Sequence, residues 1–134
     1  MFSKACRYAL RAVLYLAIHS SENQKIGVSA MAESLQVPRH FLAKILQQLT
    51  RAGLISSAKG PNGGFYCSVE NLKVTLEQVI ICIDGKEILT GCIMGLPACS
   101  AEKPCPLHHQ AIAFREGLNY QLKFQTVGEM ALRI

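Results

Sequence analysis

The feature that most constrains the fold is a change of period near residue 54. From Ser29 to Leu49 apolar residues recur at helical spacing. From Leu54 to Val69 two short strand-like runs, 54–58 and 65–69, flank the turn Lys59-Gly60-Pro61-Asn62-Gly63-Gly64. Residues 29–35 read as a short helix with Ser29 as its N-cap, and Gln36-Val37 as a tight connection. Pro38 suits the first turn of the next helix, where a missing N–H costs nothing, and Gly53 suits its end. Phe41, Leu42, Ile45, Leu46 and Leu49 give that helix its buried stripe, while Arg39, His40, Lys44, Gln47 and Gln48 lie off it. Two short helices followed by a glycine-tipped hairpin describe a helix-turn-helix with a wing.

Helical spacing also marks residues 3–18, with Ser3 as a cap, and residues 75–83, where Thr75 and Gln78 have capping-box spacing. It returns over 106–124 through Leu107, Ala111, Phe114, Leu118 and Leu122, a helix of roughly 28 Å. Thr126 and Glu129 form a second capping box before a short final helix. The expected architecture is mainly α: a winged helix-turn-helix over 1–70, a connecting helix and loop over 71–105, and a dimerisation helix with a terminal helix over 106–134. The apolar stripe of 106–124 exceeds what so small a chain can cover, so a homodimer is expected.

Charge narrows the function. Residues 1–60 carry eight Lys and Arg against two Glu, and residues 61–134 six basic against seven acidic residues. The electropositive half is therefore the helix-turn-helix half, which suits a polyanion. The start of a recognition helix reaches base edges in the major groove, so Arg39, His40 and Lys44 are candidate DNA contacts, with Ser29 on a phosphate. Lys59 at the wing tip, with Gly60, Gly63 and Gly64 allowing close backbone approach, completes the set. No apolar run is long enough to cross a membrane. Lys4, Arg7 and Arg11 break the pattern of a signal peptide, so a cytoplasmic location is expected. No phosphate loop, Gly-flanked nucleophile or C-x-x-C redox motif suggests an enzyme.

Residues 84–105 lack periodicity and hold Gly85, Gly91, Gly95, Pro97 and Pro104. A loop of this length needs something to order it. Cys92, Cys99 and Cys105 lie in it with spacing C-x6-C-x5-C, and His108 and His109 follow. Three thiolates suit zinc or an iron–sulfur cluster, and intervals this long disfavour a compact zinc knuckle. Redox-active thiols are a further reading. Cys6, Cys67 and Cys82 fall in regular elements and read as small buried hydrophobes.

These segments together resemble the Rrf2 family of bacterial transcription regulators. The match runs through Arg7-Tyr8-Ala9, the helix-turn-helix at 29–52, Gly53-Leu54-Ile55 and Thr126-Val127-Gly128-Glu129. Its most specific part is the wing Lys59-Gly60-Pro61-Asn62-Gly63-Gly64-Phe65. The resemblance implies a dimer on a double-stranded DNA operator. It also implies an iron–sulfur cluster on Cys92, Cys99 and Cys105. IscR-type members carry a fourth ligand three residues after the last cysteine, which is His108 here, and a 2Fe–2S cluster. A 4Fe–4S cluster is the alternative, but Arg7 stands where such members carry an acidic ligand. The first cysteine interval is one residue longer than is usual in the family, and Ala43 replaces a base-reading Glu. Other members sense without a cluster, and a winged-helix interaction adaptor with structural or zinc-binding cysteines is the remaining alternative.

Overall fold

The computed structural model describes residues 2–134 as seven helices and one small antiparallel sheet. In chain order these are α1 (Lys4–His19), α2 (Val28–Leu35), α3 (Arg39–Arg51), β1 (Ser56–Ala58) and β2 (Gly64–Tyr66). A single 3-10 turn (Asn71–Lys73) follows, then α4 (Leu76–Asp84), α5 (Glu87–Thr90), α6 (His108–Phe124) and α7 (Val127–Ala131). No helix among the described residues is long and apolar enough to cross a membrane.

The core is built on α1, which packs against α3, α4 and α7. Its inward face is Cys6, Ala9, Ala12, Val13 and Leu16. Ala9 and Ala12 are fully buried, so neighbouring helices approach close to the α1 backbone. Leu42, Ile45, Leu46 and Leu49 are 0–2% exposed, as the stripe predicted, and root α3 against this core. Ser3 caps α1 by accepting from the Cys6 N–H at 3.0 Å. Gln36 ends α2 in the left-handed region, φ 56°, which turns the chain sharply into α3.

Three helix starts differ from expectation, the third being α6, which begins at His108 rather than residue 106 and leaves Leu107 as its exposed N-cap. Helix α2 begins at Val28 with Gly27 as its N-cap and no side-chain cap. The Ser29 hydroxyl instead accepts from Arg39 Nε at 2.7 Å. Pro38 is the N-cap of α3 rather than part of its first turn. The loop expected over 84–105 contains the short helix α5, anchored by the buried Leu89. Both predicted capping boxes form, at Thr75/Gln78 and Thr126/Glu129. They lie side by side, because Leu76 N–H donates to Gln125 O at 3.1 Å and Val127 N–H to Val74 O at 2.7 Å.

The wing pairs Ser56 with Tyr66 and Ala58 with Gly64. Its second strand is held on both sides. Ile26, from the α1–α2 connection, exchanges two backbone hydrogen bonds with Phe65 at 2.9 and 2.8 Å. Ile26 comes so close that a Cβ on Gly64, φ +144°, would lie 2.7 Å from its carbonyl oxygen. The wing base is tied by Asn71, which is 6% exposed. Its Oδ1 accepts from Ser56 Oγ, Ser68 N and Ser68 Oγ at 2.7–2.9 Å, and its Nδ2 donates to Gly53 O at 3.3 Å.

Replacing Asn71 by Ala leaves the Ser68 N–H and the Gly53 carbonyl without their partner. Asn71→Ala is therefore expected to lower unfolding stability by about 2 kcal/mol. Urea denaturation followed by circular dichroism measures this, and an unchanged midpoint would show that the hub carries no net stability.

Candidate functional site

Two groups of candidate functional residues emerge. The first is the exposed face of α3 and the wing. Arg39, His40, Lys44, Gln47 and Gln48 all lie on the solvent side of α3, opposite its buried stripe. Arg39 is steered by its bond to Ser29, so the α2 start and the α3 start present one polar edge. The ion pair found among the described residues is the exposed Lys73–Glu70 contact, which involves none of these side chains. Arg39, Lys44 and Lys59 thus have no acidic partner among the described residues, and their charge is available to an anion.

Lys59 is exposed at the wing tip. The neighbouring glycines divide in role. Gly60, φ +105°, has nothing within 4 Å of where a Cβ would stand, so its backbone is open to an approaching surface. Gly63 and Gly64 are enclosed by the chain's own Ala58 and Ile26 carbonyls, so there the glycine serves the turn. Lys25 was not singled out by sequence. It lies over the Tyr66 ring at 5.2 Å and adds a cation beside the wing, placed there by the Ile26–Phe65 ladder.

The second group is the thiol loop. Cys92, Cys99 and Cys105 come together with their sulfurs all within 4.8 Å of one another, although the loop between α5 and α6 spans Gly91 to Leu107. Cys92 Sγ lies 3.6 Å from Cys105 Sγ, and the Cys105 N–H donates to Cys99 Sγ at 3.4 Å. His108 opens α6 and brings Nδ1 to 3.3 Å from Cys99 Sγ. Its Nε2 is buried and has no hydrogen-bond partner. His109 is exposed and stacks edge-on against His108 rather than facing the sulfurs.

The local backbone distinguishes the thiols. Hydrogen bonds from the Leu96 backbone, then from Met94 and the neighbouring thiols, bring Cys92 down to about 7 against the opposing effect of desolvation. Cys99 is held above its ordinary value. The Cys105 backbone bond favours its thiolate, but desolvation and the two neighbouring cysteines outweigh it. By contrast, burial is the main cause that pushes Cys6 up to about 12, with Asp84 adding to it, and burial pushes Cys67 up to about 11. Cys6 and Cys67 are thus unreactive core residues, as expected. Cys82 is half-buried on α4, where its Sγ touches Gln48 O of α3 at 3.8 Å.

This donor set suits a soft metal centre. Thiols ligate as thiolates, and three of them converge beside His108, whose Nδ1 lies 3.3 Å from Cys99 Sγ and whose buried Nε2 has no partner in the chain. The residues present therefore fit an iron–sulfur cluster.

Sequence and fold comparisons agree on the family. Residues 2–132 match the model of the Rrf2 family, described as iron-dependent transcriptional regulators. An HTH-type transcriptional regulator of Aquifex aeolicus is 35% identical over 82% of this chain and 76% of its own length. The HTH-type transcriptional regulator IscR of Vibrio cholerae is 28% identical over 76% of this chain, and the matched region is 58% of that protein. Among solved structures, CymR, the global cysteine regulator of Bacillus subtilis, superposes with a TM-score of 0.78 at 22% identity, over 100% of this chain and 98% of CymR. IscR of T. potens superposes with a TM-score of 0.72 at 18% identity, over 97% and 85%. Both share the winged-helix fold. The chain belongs to the Rrf2 family of winged helix-turn-helix transcriptional regulators.

Proposed function

We propose that this chain is a cytoplasmic, homodimeric regulator that binds a double-stranded DNA operator and is switched at Cys92, Cys99, Cys105 and His108 by an iron–sulfur cluster, 2Fe–2S in type. The observation that carries the reading is the convergence of three loop thiols, with His108 Nδ1 3.3 Å from one of them, Cys99 Sγ. Residues 1–70 act as the DNA-binding unit, 71–105 as the connector and 106–134 as the dimerisation unit. Arg39, His40 and Lys44 enter a major groove, Ser29 meets a phosphate, and Lys59 with the Gly60–Gly64 tip follows the adjacent backbone.

When bound, the cluster supplies a redox-active core that joins the three thiolates. The chain's own residues carry the consequence to DNA. The Asn119 amide on α6 donates to Leu89 O of α5 at 3.0 Å, which ties α6 to the segment leading into the thiol loop. Helix α6 packs on α4, and α4 packs on α3, where Cys82 meets Gln48. Ordering of the loop is thereby felt at the recognition helix. Two arrangements with different DNA affinity are what a switch requires.

A dimer is supported by what α6 leaves uncovered. Of the predicted stripe, Ala111 and Leu122 are buried in the chain's own core and Leu118 packs against it, whereas Phe114 is 65% exposed. Ile112, Tyr120 and Phe124 are exposed as well. A second copy would cover this surface.

A cluster-free thiol switch is the second reading, and one observation favours it: Cys92 Sγ and Cys105 Sγ lie 3.6 Å apart, within reach of disulfide formation.

Anaerobic purification with iron, sulfide and visible spectroscopy tests the first reading. The wild type is expected to be coloured, and Cys92→Ala colourless yet still dimeric. A wild type without iron or sulfide, whose Cys92 and Cys105 become linked under mild oxidation, would replace the cluster by the thiol switch. Lys59→Ala is expected to weaken operator binding and to lower the slope of log affinity against log salt by about one. Unchanged binding at every salt concentration removes Lys59 from the interface. Phe114→Glu is expected to give monomers in sedimentation analysis, and persistence of the dimer would exclude this face of α6 from the interface.

A further inference from the structure

Three buried side-chain polar atoms among the described residues lack a hydrogen-bond partner: His108 Nε2, Arg115 Nε and Asn119 Oδ1. All three are on α6, separated by seven and four residues, so they share one face of the helix. That face looks onto the thiol loop. Arg115 lines the same hollow as Cys92, Cys99, Cys105 and His108. It is only 8% exposed, and it has no carboxylate partner among the described residues. Glu87 borders the adjoining hollow without pairing with it.

A guanidinium buried without a counter-ion is costly, and it cannot shed its proton to escape. The cost is offset only if negative charge comes to lie nearby. Glu87 lies on the adjoining hollow without pairing, and on the hollow that Arg115 shares with His108 the source is the three cysteines. As thiols they are neutral, but as metal ligands they are thiolates, and three thiolates crowded in one loop repel one another.

We infer that Arg115 supplies the fixed positive charge of the thiol site, a positioning residue that offsets the negative charge Cys92, Cys99 and Cys105 carry as metal ligands. The inference rests on the metal-site reading above and deepens it. Arg115 is not a ligand; it acts by charge across the hollow. Each added electron makes the filled site more negative, so Arg115 favours the reduced state. In the metal-free chain the same cation lacks its counter-charge, so α6 is held less firmly against the loop.

The test uses the full chain with Arg115→Gln, which removes the charge at similar size, and Arg115→Lys, which keeps it. Anaerobic titration with Co2+, followed by its thiolate charge-transfer band, reads metal affinity without any DNA assay. Arg115→Gln is expected to bind Co2+ about tenfold more weakly, and Arg115→Lys to recover most of the loss. After iron and sulfide loading, Arg115→Gln is expected to have a midpoint potential lower by about 60 mV, the one-electron equivalent of tenfold. Equal Co2+ affinity in Arg115→Gln and wild type would overturn the inference. So would an Arg115→Lys chain as weak as Arg115→Gln, since the requirement would then be for shape and not charge. A wild type that binds Co2+ through thiolates but takes up no iron and sulfide would refute the cluster reading alone, and the cobalt comparison would still decide the role of Arg115.

Discussion

The carboxamide of Asn71 holds the DNA-reading parts in register. It is one buried side chain bonded to Gly53 just beyond α3, to Ser56 in the first wing strand and to Ser68, two residues after the second. The wing and α3 are otherwise joined only through the short stretch from Ala52 to Ile55. A hairpin of two three-residue strands has little stability alone. It becomes a fixed part of a surface because Asn71 anchors its base and Ile26 flanks its second strand. The same buried polar network would be a liability if any member were missing, and every atom of the Asn71 amide is used.

What was legible in the sequence was local. The α3 stripe, the Ser3 cap, both capping boxes and the glycine-tipped turn are each determined by residues within a few positions of one another. The proximity of Cys92, Cys99, Cys105 and His108 was legible because three cysteines and a histidine stand out in an otherwise shapeless loop. What escaped was long-range. Ser29 has cap chemistry, but Arg39 ten residues on competes for its hydroxyl and Gly27 takes the cap position. The Ile26–Phe65 ladder spans 39 positions, and neither residue announces the other. Asn71 looks like any loop asparagine until Gly53, Ser56 and Ser68 converge on it. Arg115 reads as an ordinary charged helix residue, and only burial shows it to be an unpaired cation.

The two functional regions meet through α4, which touches both α3 and α6. Its contact with α3 includes a thiol against a carbonyl, Cys82 on Gln48, at a half-exposed edge of the core. That contact is weak and adjustable, unlike the close apolar packing of Leu42 and Leu46. A seam of this kind lets one helix shift against another without dismantling the interior.

The paired backbone hydrogen bonds between Val74–Leu76 and Gln125–Val127 also set a boundary. They pinch the chain shut at both ends of the segment from α4 through α6, making it a lobe with a closed neck. Residues gained or lost in the cysteine-bearing stretch alter the inside of that lobe and leave the neck where it is. The chemistry of that stretch can therefore change while α3 and the wing keep their shape. Within the lobe it is α4 that packs on α1 and α3, so a rearrangement inside it would reach the winged half along that helix.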